Sequence, residues 1–219
     1  MSPDHVAQST PQTRQKRVGD ALRRETRNRI LEAAEVEFTA RGYAGTTVSR
    51  LAETAGVSVQ TLYLAWGSKR ELLRGYMESV LAGDAASPAD AASRFTDMGP
   101  AECLRELANL VAEIAGRAAT GWSLYRDAAA VDPEIAGDWN ELQLLRHQLV
   151  ARILEGIPAS AFADGVTLAD AIDTAWVIVS PESYDLLVHR RSYNLGQFRD
   201  WMQSTLTASL LSPRSTISQ

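Results

Sequence analysis

With 219 residues, 45% of them hydrophobic, the chain is long enough to enclose a sizeable core, which excludes a wholly disordered protein. Its net charge of −5 is unevenly spread: residues 1–70 hold eleven Lys and Arg against seven Asp and Glu, and the remainder holds eleven against twenty. A basic first third suits a polyanion and an acidic remainder is repelled by one, so contact with nucleic acid is expected at the N-terminal end.

One cysteine, Cys103, excludes an intrachain disulfide framework and a cysteine-based metal site, and its apolar surroundings predict a buried, inert thiol. No apolar run reaches the roughly 20 residues of a membrane span, and the first residues lack the apolar centre of a signal peptide, so a cytoplasmic protein is expected.

Residues 1–20, rich in Ser, Thr, Gln and Pro, read as a disordered basic tail. Basic residues gather in Arg14, Lys16, Arg17, Arg23, Arg24, Arg27 and Arg29, either as a solubilising arm or as one that adds phosphate or minor-groove contacts. A first helix is expected from about Arg23 to Ala40, with Ile30, Ala33, Ala34 and Phe38 on one face and Gly42 as its stop.

Thr46 to Lys69 holds two short helical patterns, Thr47 to Thr54 and Ser58 to about Leu64, separated by Ala55-Gly56-Val57. Gly56 can take the left-handed conformation that ends one helix before the next, which outlines a helix-turn-helix. Thr47, Ser58, Thr61, Tyr63 and Lys69 alternate there with the apolar Val48, Leu51, Ala52, Val57 and Leu62, giving a polar surface suited to phosphates over a buried side.

Ser68-Lys69-Arg70-Glu71 is a capping-box pattern opening a fourth helix with Leu72, Leu73, Tyr76, Met77, Val80 and Leu81 as its stripe. Gly83 to Pro100 reads as a linker. Helical patterns follow at Ala101 to about Ala118, Trp122 to Ala130, Asp132 to Glu155, Thr167 to Val179, Ser180 to Val188 and Asn194 to Leu210. With no convincing strand alternation the fold class is all-α: a helix-turn-helix domain over residues 21–67 and a second helical domain over 68–219.

These residues resemble the TetR family of transcriptional regulators. The resemblance rests on Ile30-x-x-Ala33-Ala34-x-x-x-Phe38, Gly42, Thr46-Thr47, Leu51-Ala52-x-x-Ala55-Gly56-Val57-Ser58, Thr61-Leu62-Tyr63 and Ser68-Lys69-x-x-Leu72. It implies a homodimer that binds a palindromic double-stranded DNA operator through its second and third helices, and a C-terminal domain whose small-molecule effector alters DNA affinity. Carried over by position, Thr47, Tyr63 and Lys69 contact phosphates beside Ser58, while Val59, Gln60 and Thr61 meet base edges. Gln60 either pairs with adenine through its amide or makes only phosphate and water contacts. Leu64-Ala65-Trp66 departs from the commonest family pattern, with Trp66 in the usual phenylalanine place and expected in the core.

Dimerisation is expected through Thr167 to Val188 and Leu195 to Leu211, which are apolar on more than one side. Trp122, Tyr125, Trp139, His147 and Trp176, with Arg126 and His147 as polar anchors, are the candidates for an effector pocket. The three histidines are far apart, and no HExxH, GxSxG or Gly-rich phosphate loop is present, so neither catalytic residues, metal ligands nor a cofactor are assigned and an enzyme is not expected. The rival reading is a helical DNA-binding protein whose C-terminal domain recruits a protein partner rather than a small ligand.

Overall fold

The computed structural model describes residues 11–82, 94–95 and 97–213, and among them every extended element is a helix. The chain forms two compact units that divide between Tyr76 and Met77, later than the expected boundary after residue 67. The start of the fourth helix goes with the first unit because Leu72, Leu73 and Tyr76 are buried in that unit's core.

In the first unit, α1 (Pro11–Gly45) leads into α2 (Val48–Thr54), α3 (Val59–Trp66) and the beginning of α4 (Lys69–Ala82). Ile30, Ala34 and Phe38 of α1 are fully buried together with Leu51 of α2 and Leu62 of α3, as the spacing predicts. Gly42, at φ 68 and ψ 171, interrupts the helical path of α1. One expectation is corrected: the helix begins at Pro11 rather than near Arg23, so residues 11–20 are not an unstructured tail. Proline suits a first helical turn, the Gln, Arg and Lys that follow are good helix formers, and Asp20 pairs with Arg23 one turn on. Residues 1–10 lie outside the described residues.

The second unit continues with α5 (Pro100–Ala129), α6 (Pro133–Leu154), a single 3-10 turn at Ala159–Ala161, α7 (Leu168–Ile178), α8 (Pro181–Tyr184) and α9 (Leu195–Leu210). α5 is one helix where two were expected. Gly121 is buried within it, and the flanking Ala118 and Trp122 are buried too, so packing outweighs the roughly 1 kcal/mol that an internal glycine costs. The helix after Ser180 is likewise shorter than expected: Pro181–Tyr184 passes into a single π turn, Asp185–His189. Most of the expected linker, Gly83 to Pro100, lies outside the described residues, and Pro100 itself is in the first turn of α5.

The helix starts follow the sequence closely. Asp132 caps α6 by accepting from Glu134 N and Ile135 N, and Thr167–Asp170 and Asn194–Gln197 form complete capping boxes on α7 and α9. The core of this unit is built from Leu104, Leu107, Leu154, Ala175, Phe198 and Leu206, among others. Cys103 is buried there, and burial pushes its thiol pKa to about 11, in keeping with an inert side chain. Among the described residues no helix is long and apolar enough to cross a membrane.

Candidate nucleic-acid interface

The turn between α2 and α3 sets the geometry of the head. Gly56 has φ 64, a left-handed conformation that ends α2 and lets the chain restart at Ser58. Thr47 Oγ1 accepts from Arg50 N at 3.3 Å and Ser58 Oγ from Thr61 N at 3.0 Å, so each helix begins on a hydroxyl cap. With Leu62 buried, α3 turns Val59, Gln60 and Tyr63 outward; Val59 is 38% and Tyr63 48% exposed.

Thr61 is half-buried, its hydroxyl 2.8 Å from Ser58 Oγ, which ties these two polar side chains to each other. Leu64 is the most exposed apolar residue of α3, at 82%, although its type suggests the core. An apolar side chain on that surface suits a thymine methyl group.

Lys69 takes a different place from the one its position implies. Its ammonium donates to Tyr43 O at 3.0 Å and Thr46 O at 2.9 Å and stands 4.0 Å over the Tyr43 ring. A cation held on two carbonyls closes the end of α1 against the start of α4, so its protein contacts are those of a brace rather than a free phosphate grip.

A second brace holds the end of α3. The Arg27 guanidinium lies 3.8 Å over the Trp66 indole and donates to the carbonyl of Ala65, one of the unpaired carbonyls of the last turn. On the other side Trp66 rests on Gly75 of α4, where a Cβ would stand 2.1 Å from a ring carbon. Trp66 is half-buried, with its Nε1 enclosed. Arg27 thus packs against protein instead of standing free as part of an arm.

Sequence reasoning missed Glu37, which is only 8% exposed in the three-helix unit. Its carboxylate accepts from Thr54 Oγ1 at 2.8 Å and pairs with Arg41 at 3.0 Å and Arg50 at 3.6 Å. The Thr54 hydrogen bond, with Arg41 and Arg50 beside it, holds the Glu37 pKa below its ordinary value. The signal was available: Glu37 continues the apolar stripe Ile30, Ala33, Ala34, Phe38 of α1 as its one charged member.

The residues expected to line an effector pocket fall into two aromatic pairs in the second unit. Trp122 and Trp139 meet edge to face at 5.7 Å, and His147 and Trp176 at 5.8 Å. Tyr125 is buried and donates to Asp138 at 3.3 Å. The two expected anchors are each engaged by carboxylates: His147 Nε2 is 2.9 Å from Asp173, and Arg126 lies 3.3 Å from Asp127 and 4.0 Å from Asp185. The cation between the aromatic pairs is Arg146, which sequence reading passed over.

The comparisons agree with this architecture. The model for bacterial regulatory proteins of the tetR family matches residues 30–76, which hold the C-terminal part of α1, the helices α2 and α3 with their turn, and the start of α4. ArpR of Pseudomonas putida, a probable helix-turn-helix transcriptional regulator, is 37% identical over 83 residues, and TtgR of the same species, also a helix-turn-helix transcriptional regulator, matches equally. The match spans 38% of this chain and 39% of either curated relative, so the chain covers about two fifths of their length. Among solved structures, NalD of Pseudomonas aeruginosa, the secondary repressor of an efflux pump, superposes with a TM-score of 0.69 at 18% identity over 87% of this chain and 99% of that one. SmeT in complex with triclosan gives 0.66 at 16% identity over 87% and 93%. At these identities the likeness is one of fold. The matching family is one of regulators and not of enzymes. Residues 30–76 are thus similar to the helix-turn-helix domain of the tetR family, and the chain shares the helical fold of solved regulators such as NalD.

Proposed function

We propose that this protein is a cytoplasmic, sequence-specific transcriptional repressor that binds a palindromic operator as a homodimer and is released by a small molecule. The observation that carries the reading is α3 itself, capped at Ser58 and braced at Trp66, with Val59, Gln60 and Tyr63 turned outward from a domain of matching family.

In this reading Gln60 pairs with adenine, Val59 and Leu64 touch thymine methyls, and Thr47, Ser58, Thr61 and Tyr63 meet phosphates and sugars. Lys69 serves the phosphates indirectly, by fixing the loop before α2. Dimerisation through α7 and α9 is supported by apolar side chains left exposed there and between them: Val177 at 58%, Leu186 at 53% and Leu195 at 43%. A two-fold dimer places its reading helices about 34–36 Å apart, or a multiple of that. A ligand preferring another spacing lowers operator affinity by linkage, and α4, within which the two units divide, is the segment that carries the change. The complex of SmeT with triclosan is the reason to assign the helical unit a small organic ligand.

Selection of duplexes from a random pool, followed by footprinting, tests the proposal. A recovered palindrome that Gln60→Ala relaxes at one A·T position, by about 1–3 kcal/mol, is expected. Uniform coverage of DNA with no recovered sequence would sink it and favour an architectural protein with a protein partner.

A further inference from the structure

Arg146 presents an electrostatic anomaly. It sits on the inward stripe of α6 with Trp139, Gln143 and Val150, its guanidinium 5.9 Å from the Trp122 ring and 5.8 Å from the Trp176 ring. It donates to Gln143 Oε1 and, at 3.3 Å each, to the carbonyls of Trp176 and Val179 at the end of α7. Three of its five N–H groups thereby have protein acceptors.

Among the described residues no carboxylate lies at ion-pair distance from it. Glu182 acts on it from farther off, with Gln143 between them, whose Nε2 donates to the Glu182 carboxylate at 3.3 Å. Desolvation pulls the Arg146 pKa down to about 10 against the opposing pull of the Glu182 carboxylate, so the side chain keeps its charge at neutral pH with no carboxylate in ion-pair contact. Buried donors are also in surplus beside it, since the Trp176 Nε1–H is enclosed without an acceptor.

Trp66 shares that last property, but Arg27 above it is exposed and bonded to Ala65 O, which strands no charge. In the Arg146 cluster a cation with no carboxylate in contact, an orphan indole donor and two aromatic faces coincide. The rim of the cluster reaches solvent, with Trp139 and Trp176 half-buried and the His147 side chain 37% exposed.

We propose that this cluster binds an aromatic carboxylate, its anionic head on Arg146 and the Trp176 indole N–H and its ring against the tryptophans. The proposal rests on the reading of the second unit as an effector domain and names the effector's class. A monoanion matches the single charge of Arg146, which Glu182 offsets only from beyond ion-pair distance, whereas a phosphate dianion would exceed it. The head competes with the carbonyls of Trp176 and Val179 for the guanidinium, so occupancy frees the C-terminal end of α7, one of the helices assigned to the dimer.

The test is calorimetric titration of the full-length protein with 2-naphthoate and with 2-naphthamide, which has the same shape and no charge. Naphthoate is expected to bind at least about tenfold more tightly, and Arg146→Lys, which keeps the charge but not the planar fork, to lose most of that margin. Trp176→Phe, which keeps a ring and removes the N–H, is expected to weaken naphthoate several-fold and naphthamide less, and it serves if Arg146→Lys does not fold. Equal binding of the two compounds, or unchanged naphthoate affinity in both variants, overturns the proposal. Operator affinity, read by anisotropy in the same solutions, separates the two readings. Arg146-dependent binding that leaves operator affinity unchanged upholds the site and sinks release by a ligand.

Discussion

The indole of Trp66 lies directly on the backbone of Gly75, with ring carbons 2.1 and 2.4 Å from where a Cβ would stand. α3 and α4 approach this closely only because one of them lacks a side chain there, so the large residue ending the reading helix and the missing one in the next helix form one unit.

Gly75→Ala is therefore expected to destabilise the protein. Alanine in a helix gains about 0.5–1 kcal/mol over glycine, but overpacking a rigid ring costs about 1–3 kcal/mol, and the second effect wins. Combining it with Trp66→Phe should recover much of the loss. Urea denaturation of the four proteins in a double-mutant cycle measures the coupling, and additive effects would refute the contact.

Lys69→Met removes a cation from the carbonyls of Tyr43 and Thr46 while keeping the stem. Stability should fall by about 1–3 kcal/mol, while the salt dependence of operator binding stays unchanged. A drop of about one in the slope of log Kd against log salt would instead make Lys69 a phosphate ligand.

Glu37 gives the first unit a pH dependence. Its folded pKa is depressed, by the Thr54 hydrogen bond first and by Arg41 and Arg50 after it, so its contribution is complete above its ordinary value of 4.5. That contribution is lost as pH falls through the lower folded value. The stability difference between wild type and Glu37→Gln should shrink steadily below pH 4.5, and a difference constant over that range would count against the network.

Cys103 should resist a thiol reagent at pH 8 in the native protein and react fully in denaturant, because its thiol, at about 11, stays protonated and buried. Rapid native labelling would show that the helix around it opens readily.

The fold was legible where a residue's own chemistry decides its conformation. The caps at Thr47, Ser58, Asp132, Thr167, Ser180 and Asn194 each satisfy an amide of the first helical turn, an event contained within four residues. The break expected between Ala118 and Trp122 is absent because the burial of Gly121, a tertiary fact, keeps the helix continuous there. The π turn at Asp185–His189 is likewise invisible to helical spacing. In the candidate sites, outward Gln60 and Tyr63 follow from buried Leu62 by helical geometry alone. Arg146 and Glu37 were missed through treating charge as a mark of the surface. Each continues an inward stripe at helical spacing, and that exception to the stripe was the available signal.

The way the basic residues of the first unit are held has a further consequence. Arg23 is paired with Asp20, Arg27 is held by Ala65 and Trp66, Arg41 and Arg50 converge on Glu37, and Lys69 is fixed on two carbonyls. Five of the eleven Lys and Arg in residues 1–70 are therefore committed to contacts within the protein. In the proposed operator complex these five add little counterion release, so what they contribute to discrimination runs through the shape of the head they hold, which ionic strength barely touches.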